Sequence, residues 1–167
     1  MYFYGNLFPQ MKILKKTAII LLVAFVAIQF FRPAQNISNG NHAKQFISET
    51  NPSETVKVIL EQTCYDCHSD NTNYPWYNNV APVSFWMSDH IKDGKKHLNF
   101  SEWQSYSNKK KDHKLEEVIE TLDTSEMPLK EYTWTHKQAK LTEKQKGLVK
   151  EWVQRSRALY QLNDLPQ

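Results

Sequence analysis

The chain has 167 residues, 40% of them hydrophobic, which suits one domain with a modest core and leaves two cramped. Lys and Arg number 21 against 18 Asp and Glu, and the resulting +3 is too mild for a nucleic-acid binder with a basic face. Two cysteines exclude a disulfide-dense scaffold.

The charge is unevenly placed. Lys12, Lys15, Lys16 and Arg32 precede Pro33 with no acidic residue among them, so the remainder carries 17 basic against 18 acidic side chains. Residues 1–11 read as an over-extended start, because Met11 followed by Lys12 makes a more natural one. Residues 17–31 are apolar except for Thr17 and Gln29, and they follow three lysines, the layout of a signal peptide or signal anchor. With Ile13 and Leu14 added, the stretch reaches roughly 28 Å as a helix, close to a bilayer core of about 30 Å. It ends in Phe30, Phe31, Arg32 and Pro33, which suit a signal-peptidase site poorly. Residues 12–33 are therefore expected to be an uncleaved, single-pass transmembrane helix in a bacterial inner membrane. The lysines would stay in the cytoplasm and the following chain would face the periplasm. Residues 34–51, rich in Asn, Ser and Gly, read as a tether.

Residues 52–167 are the body. A first helix is expected from Pro52 or Ser53 into Cys64, capped by Asn51, with Val56, Ile59 and Leu60 as its apolar stripe. Residues 69–80, dense in Asn, Tyr and Pro, read as a loop. A second helix spans about 82–96, with Phe85, Trp86, His90 and Ile91 toward one side. A short turn carries Trp103 and Tyr106. A third helix covers about 111–122, with Leu115, Val118, Ile119 and Leu122 at helical spacing. Residues 124–135 read as a second loop. The last helix starts at Thr142, where Gln145 completes a capping box, and would bury Leu148, Val149, Trp152, Leu159 and Tyr160. No strand alternation appears, so the body is expected to be all-α with long aromatic loops.

Cys64-Tyr65-Asp66-Cys67-His68 is a Cys-X-X-Cys-His signature, the pattern of covalent c-type haem attachment. Two thiols one helical turn apart suit the two vinyl groups of one porphyrin, and the adjacent histidine is then held as an axial ligand. Three rivals are weaker. A thioredoxin-like pair needs a strand–helix context and gives His68 no role. A zinc site needs further ligands. A disulfide across so short a loop constrains little. For the second axial ligand, Met127 in Glu126-Met127-Pro128 is favoured, Pro128 stiffening the backbone beside it. His90 and His97, seven apart on one helical face, compete with it, as does an open site. Tyr74, Trp76, Tyr77, Phe85, Trp86, Trp103 and Trp134 are candidates for the wall of the pocket, and Lys95 and Lys96 for partners of the propionates. A hydrogen bond from His68 to a carbonyl near Pro75 or Pro82 would orient its ring.

The chain resembles the small haem-binding domain family of the cytochrome c type found in membrane-anchored proteins of Bacteroidetes-like bacteria. The resemblance is carried by the Cys64–His68 motif, Tyr74-Pro75-Trp76-Tyr77, Ala81-Pro82-Val83, Asp89-His90 with Gly94, Asn99-Phe100-Ser101-Glu102-Trp103, and Met127-Pro128-Leu129 with Tyr132. It implies a cytochrome c-like helical domain holding one haem c. Cys64 and Cys67 would be its attachment points, His68 the proximal iron ligand, and Met127 would stand where the distal ligand is expected. The expected function is that of a membrane-anchored periplasmic cytochrome relaying single electrons to redox partner proteins, and not an enzyme. A haem-based sensor, or a small peroxidase with His90 on an open distal face, is the alternative.

Overall fold

The apolar spacings of the body resolve as helices. A computed structural model describes residues 7–38 and 42–163, apart from the side chains of 7–10 and 163, and among these residues there are helices and loops and no strand. The α-helices are α1 (Leu7–Ile28), α2 (Lys44–Thr50), α3 (Glu54–Thr63), α4 (Tyr65–His68), α5 (Val83–His97), α6 (Asn108–Asp123), α7 (Lys130–Thr135) and α8 (Glu143–Asn163). Short 3₁₀ turns cover Trp76–Asn79, Phe100–Ser105 and Lys137–Ala139. The all-α expectation holds.

The chain divides into two compact units. One comprises Met1–Ala34 and Tyr74–Asp89, the other Gln35–Asn73 and His90–Gln167. Residues 1–6, and with them part of the over-extended start, lie outside the described residues.

In the first unit, α1 carries the apolar run but ends at Ile28, before the run itself ends at Phe31 and short of the expected helix end at Pro33. Its apolar part, 17–28, is about 18 Å long at the helical rise, against a bilayer core of about 30 Å, and the turns before it hold Lys12, Lys15 and Lys16. Among the described residues no helix is long and apolar enough to cross a membrane, which corrects the single-pass transmembrane expectation. The helix stops where Gln29 turns to another task. Its side-chain amide donates to the Ala81 carbonyl at 3.1 Å and accepts the Ala81 N–H at 2.9 Å.

The second unit holds the main core. α2 belongs to it, so the segment expected to be a tether is in part a packed helix. Phe46 is fully buried, with ring centroids 4.5 Å from Phe100, 5.0 Å from Trp103 and 5.7 Å from Trp152. The Trp152 indole donates to the Thr50 carbonyl at 3.0 Å and the Trp103 indole to the Tyr160 hydroxyl at 3.1 Å. Asn51 terminates α2 in the left-handed region (φ 41°), a conformation that Asn tolerates. The cap of α3 is instead Ser53, whose hydroxyl accepts the Val56 N–H. Val56, Ile59 and Leu60 are buried as the stripe predicts.

Helix α6 starts three residues earlier than expected because Ser107 caps it, accepting the Lys110 N–H. α6 packs along α8, and Leu115, Leu122, Val149, Trp152 and Val153 are buried. The Thr142–Gln145 capping box is formed, with Thr142 N–H donating to Gln145 Oε1 at 2.9 Å and Gln145 N–H to Thr142 Oγ1 at 3.3 Å. Leu159 is exposed, against expectation, and Ser156 takes the buried position one turn before Tyr160. Part of the expected 124–135 loop is the helix α7.

Two outcomes follow from this packing. A Cβ added at Gly147 in α8 meets nothing within 4 Å, so Gly147→Ala removes only the helix penalty of glycine. It should stabilise the protein by roughly 0.5–1 kcal/mol in urea unfolding. Arg157 bridges Asp112 (2.7 Å) and Glu116 (2.9 Å), and its hydrogen bond holds the Asp112 carboxyl below the usual carboxylate range. A depressed carboxyl contributes stability above its unfolded value, about 3.9, and that contribution disappears as the pH falls through the lower folded value. The urea midpoints of the native protein and Asp112→Asn should therefore differ at neutral pH and converge in acid.

Candidate functional site

Helix α3 breaks at Cys64 and the chain re-enters a helical turn at Tyr65, so the motif is one short hinge of helix. Cys67 N–H and His68 N–H both donate to the Cys64 carbonyl, at 3.3 Å and 2.9 Å. This places the two cysteines one turn apart. Both are free thiols and partly buried. Burial, with Cys67 adding to it, pushes the Cys64 thiol up to about 12, and burial beside Asp66 pushes Cys67 up to about 11. Both thiols are thus protonated at neutral pH, so the pair lacks the lowered thiol of a redox-active Cys-X-X-Cys site.

The side chain of His68 is fixed from one edge. Its Nδ1 lies 3.0 Å from the Leu98 carbonyl oxygen. A carbonyl only accepts, so Nδ1 carries the proton and the lone pair of the neutral ring sits on Nε2. Burial pulls the His68 ring below the ordinary imidazole range, and the bond to Leu98 opposes this without reversing it. The acceptor is therefore Leu98, at the end of α5, and neither Pro75 nor Pro82.

Three residues packed around the motif were not singled out as site residues from sequence. Gly94 on α5 is the first: a Cβ there would lie 2.7 Å from the Cys67 carbonyl oxygen and 3.1 Å from Cys67 Cβ. Only a residue without a side chain lets α5 approach the motif this closely. Asp66 is the second. It is buried and accepts the Asn73 N–H at 2.9 Å and the Tyr132 hydroxyl at 2.7 Å. Burial and Asp66 push the Tyr132 phenol upward, so it keeps the proton it donates. Asp70 is the third. It pairs with Lys95 at 2.6 Å and accepts from the Asn99 side chain at 3.0 Å, while the Asp70 N–H donates to Ser101 Oγ at 2.9 Å. Hydrogen bonds from Lys95 and Asn99 hold its carboxyl below the usual range, outweighing the opposing and largest single influence, burial.

This gives the segment Asn99-Phe100-Ser101-Glu102-Trp103 a physical role. Asn99 and Ser101 bind Asp70. Phe100 stands edge-on to both His68 and Tyr65, at 6.4 Å and 5.5 Å between centroids. Trp103 is fully buried beneath it. The segment is a buttress behind the histidine.

The remaining candidates are dispersed. Met127 follows α6 in a partly buried position, with its N–H donating to the Thr121 carbonyl at 3.1 Å. Five residues on, Tyr132 reaches Asp66, so the segment carrying Met127 is moored to the motif. His97 is exposed and lies 3.9 Å from Asp93. His90 is partly buried on α5. Lys95 is engaged by Asp70 and by Asn36 (2.9 Å), and Lys96 is exposed. Of the aromatic wall, Trp103 is core, and Trp76, Trp86 and Trp134 are exposed. Among the described residues no three His, Cys, Asp or Glu side chains are grouped to hold a metal ion, so the zinc alternative finds no ligand set.

Two free thiols one turn apart, beside an imidazole with its Nδ1 occupied and its Nε2 bearing the lone pair, fit a haem. The model of the haem-binding domain family matches residues 23–155. The chain belongs to the haem-binding domain family. No curated protein and no solved structure matches it. Within this haem-binding domain, the thiols, the imidazole and their supports all lie in the second unit.

Gly94→Ala tests the close approach. The Cβ meets backbone, which cannot rotate away, so the variant should lose roughly 1–3 kcal/mol in urea unfolding. A loss within error would mean that α5 and the motif can part freely.

Proposed function

We propose that this haem-binding domain is a monohaem c-type cytochrome that relays single electrons and does not turn over a substrate. Cys64 and Cys67 would hold the group through two thioethers, and His68 Nε2 would ligate the iron. The bond from His68 Nδ1 to the Leu98 carbonyl carries this reading, because it sets both the tautomer and the plane of the ring before any ligand arrives. Bound haem supplies an iron that takes up and returns one electron. The polypeptide supplies rigidity. Leu98, Gly94 and the Asp70–Asn99–Ser101 network restrain the His68 side, and Tyr132–Asp66 restrains the other segment.

Met127 is the proposed distal ligand. Its segment is moored to the motif, whereas the His97 side chain is exposed beside Asp93. A thioether in that place raises the potential of a c-type iron. We further propose that the protein is attached at the periplasmic side of a bacterial inner membrane. Support comes from the exposed apolar side chains of α1, which would enter the bilayer surface, and from the lysines that precede them, which would meet anionic headgroups.

The ligand and the relay role are tested together by near-infrared magnetic circular dichroism, redox titration and carbon monoxide binding on the full-length haem protein. The native protein should show a thioether–iron signature that Met127→Ala loses, together with a fall in midpoint potential. It should take up carbon monoxide slowly at neutral pH, and Met127→Ala quickly. Rapid uptake by the native ferrous protein would overturn the six-coordinate relay in favour of a sensor or peroxidase.

A further inference from the structure

We infer that the segment 74–86 is a lipid-contacting element, seated with the C-terminal end of α1 in the headgroup region of a bilayer. This rests on the membrane attachment proposed above and assigns that surface to named residues outside the N-terminal helix.

The first observation is a clasp within the first unit. Gln29, one of two polar residues in the apolar run, uses both ends of its amide on Ala81, donating to its carbonyl and accepting its N–H. A primary amide bonded in this way imitates a β-ladder partner and holds the backbone of the 74–82 segment against the end of the helix. Arg32 adds a second tie, donating from Nη1 to Asn79 Oδ1 at 3.0 Å.

The second observation is what this end of the unit exposes. Phe30 is 84% exposed, Phe31 68%, Trp76 79% and Trp86 45%. Trp76 stands edge-on to Tyr77 at 5.8 Å, which braces the outward indole. The α1 side chains preceding them, including Ile19, Ile20, Leu21, Leu22 and Val23, are exposed on every side. The apolar stretch 17–28, exposed all round and followed in the same unit by exposed Phe and Trp side chains, has the order of an apolar lipid-facing segment followed by interfacial aromatics.

Charge supplies the third observation. The first unit contains Lys12, Lys15, Lys16 and Arg32 against Asp89 alone, so the entire net charge of +3 lies in it and the other unit is balanced. A net basic unit complements anionic lipid headgroups, with Arg32 at its aromatic end and the three lysines toward the other end of α1.

The test uses full-length protein in phosphatidylcholine–phosphatidylglycerol vesicles containing a lipid with a photoreactive diazirine near the headgroup, with labelled peptides read by mass spectrometry. Label is expected both on α1 and on peptides covering Trp76 and Trp86. In Gln29→Leu the Trp76 label should fall several-fold while α1 labelling persists. Label on α1 without label on 74–86 would overturn this inference and leave the attachment reading intact. Absence of label from α1 would overturn both.

Discussion

The site depends on one hydrogen bond, from His68 Nδ1 to the Leu98 carbonyl. A histidine that follows a cysteine can swing about two side-chain torsions, and a ligand must present one nitrogen in one direction. Fixing Nδ1 removes that freedom and chooses the tautomer at the same time. The bond exists because α5 ends at His97, leaving the Leu98 carbonyl without an onward helix to serve. It also requires that α5 lie close to the motif, and Gly94 permits this by having no side chain to intrude on the Cys67 carbonyl.

Around that bond the second unit is organised to keep Leu98 still. Leu98 itself is buried, and so are Asn99, Phe100 and Trp103 just after it. Asn99 caps its own turn and reaches Asp70, Phe100 packs on Phe46, and Trp103 bonds Tyr160 on α8. A displacement of the His68 acceptor would thus have to disturb aromatic rings that already fill the centre of the fold. In the same region the buried Asp66, Ser69 and Asn99 side chains are hydrogen-bonded, as is usual where water is excluded, whereas the buried Tyr65 hydroxyl has no partner among the described residues. Asp66 serves a second segment. By accepting from Tyr132 it couples the motif to the helix that follows Met127, so both proposed iron ligands are held by segments that meet at one carboxylate.

Much of this was legible in the residues. The motif, the helices α3, α5, α6 and α8, and the Thr142–Gln145 box each announce themselves locally, by spacing or by capping chemistry. What was hidden is tertiary. α2 is polar by composition, and only the burial of Phe46 makes it part of the core. Leu159 satisfies helical spacing, yet α8 turns Ser156 and Tyr160 inward instead. The tryptophans looked alike in sequence, but Trp103 is core while Trp76 and Trp134 face outward. Gln29 read only as a polar exception in an apolar run and proves to be where the helix stops. The supports of the site were silent for a related reason. A carbonyl at Leu98, a missing Cβ at Gly94 and an aspartate between the two cysteines carry no signature until the chain folds.

The central claim is that Cys64, Cys67 and His68 hold one haem covalently. The most direct measurement is the intact mass of full-length, periplasmically exported protein after denaturation, with a pyridine haemochrome spectrum of the same sample. The account predicts a polypeptide carrying one haem that survives denaturation, with a spectrum of two thioether links, and no retained haem in a Cys64→Ser, Cys67→Ser variant. Haem that parts from the native polypeptide on denaturation, or that the double variant still retains, would contradict it.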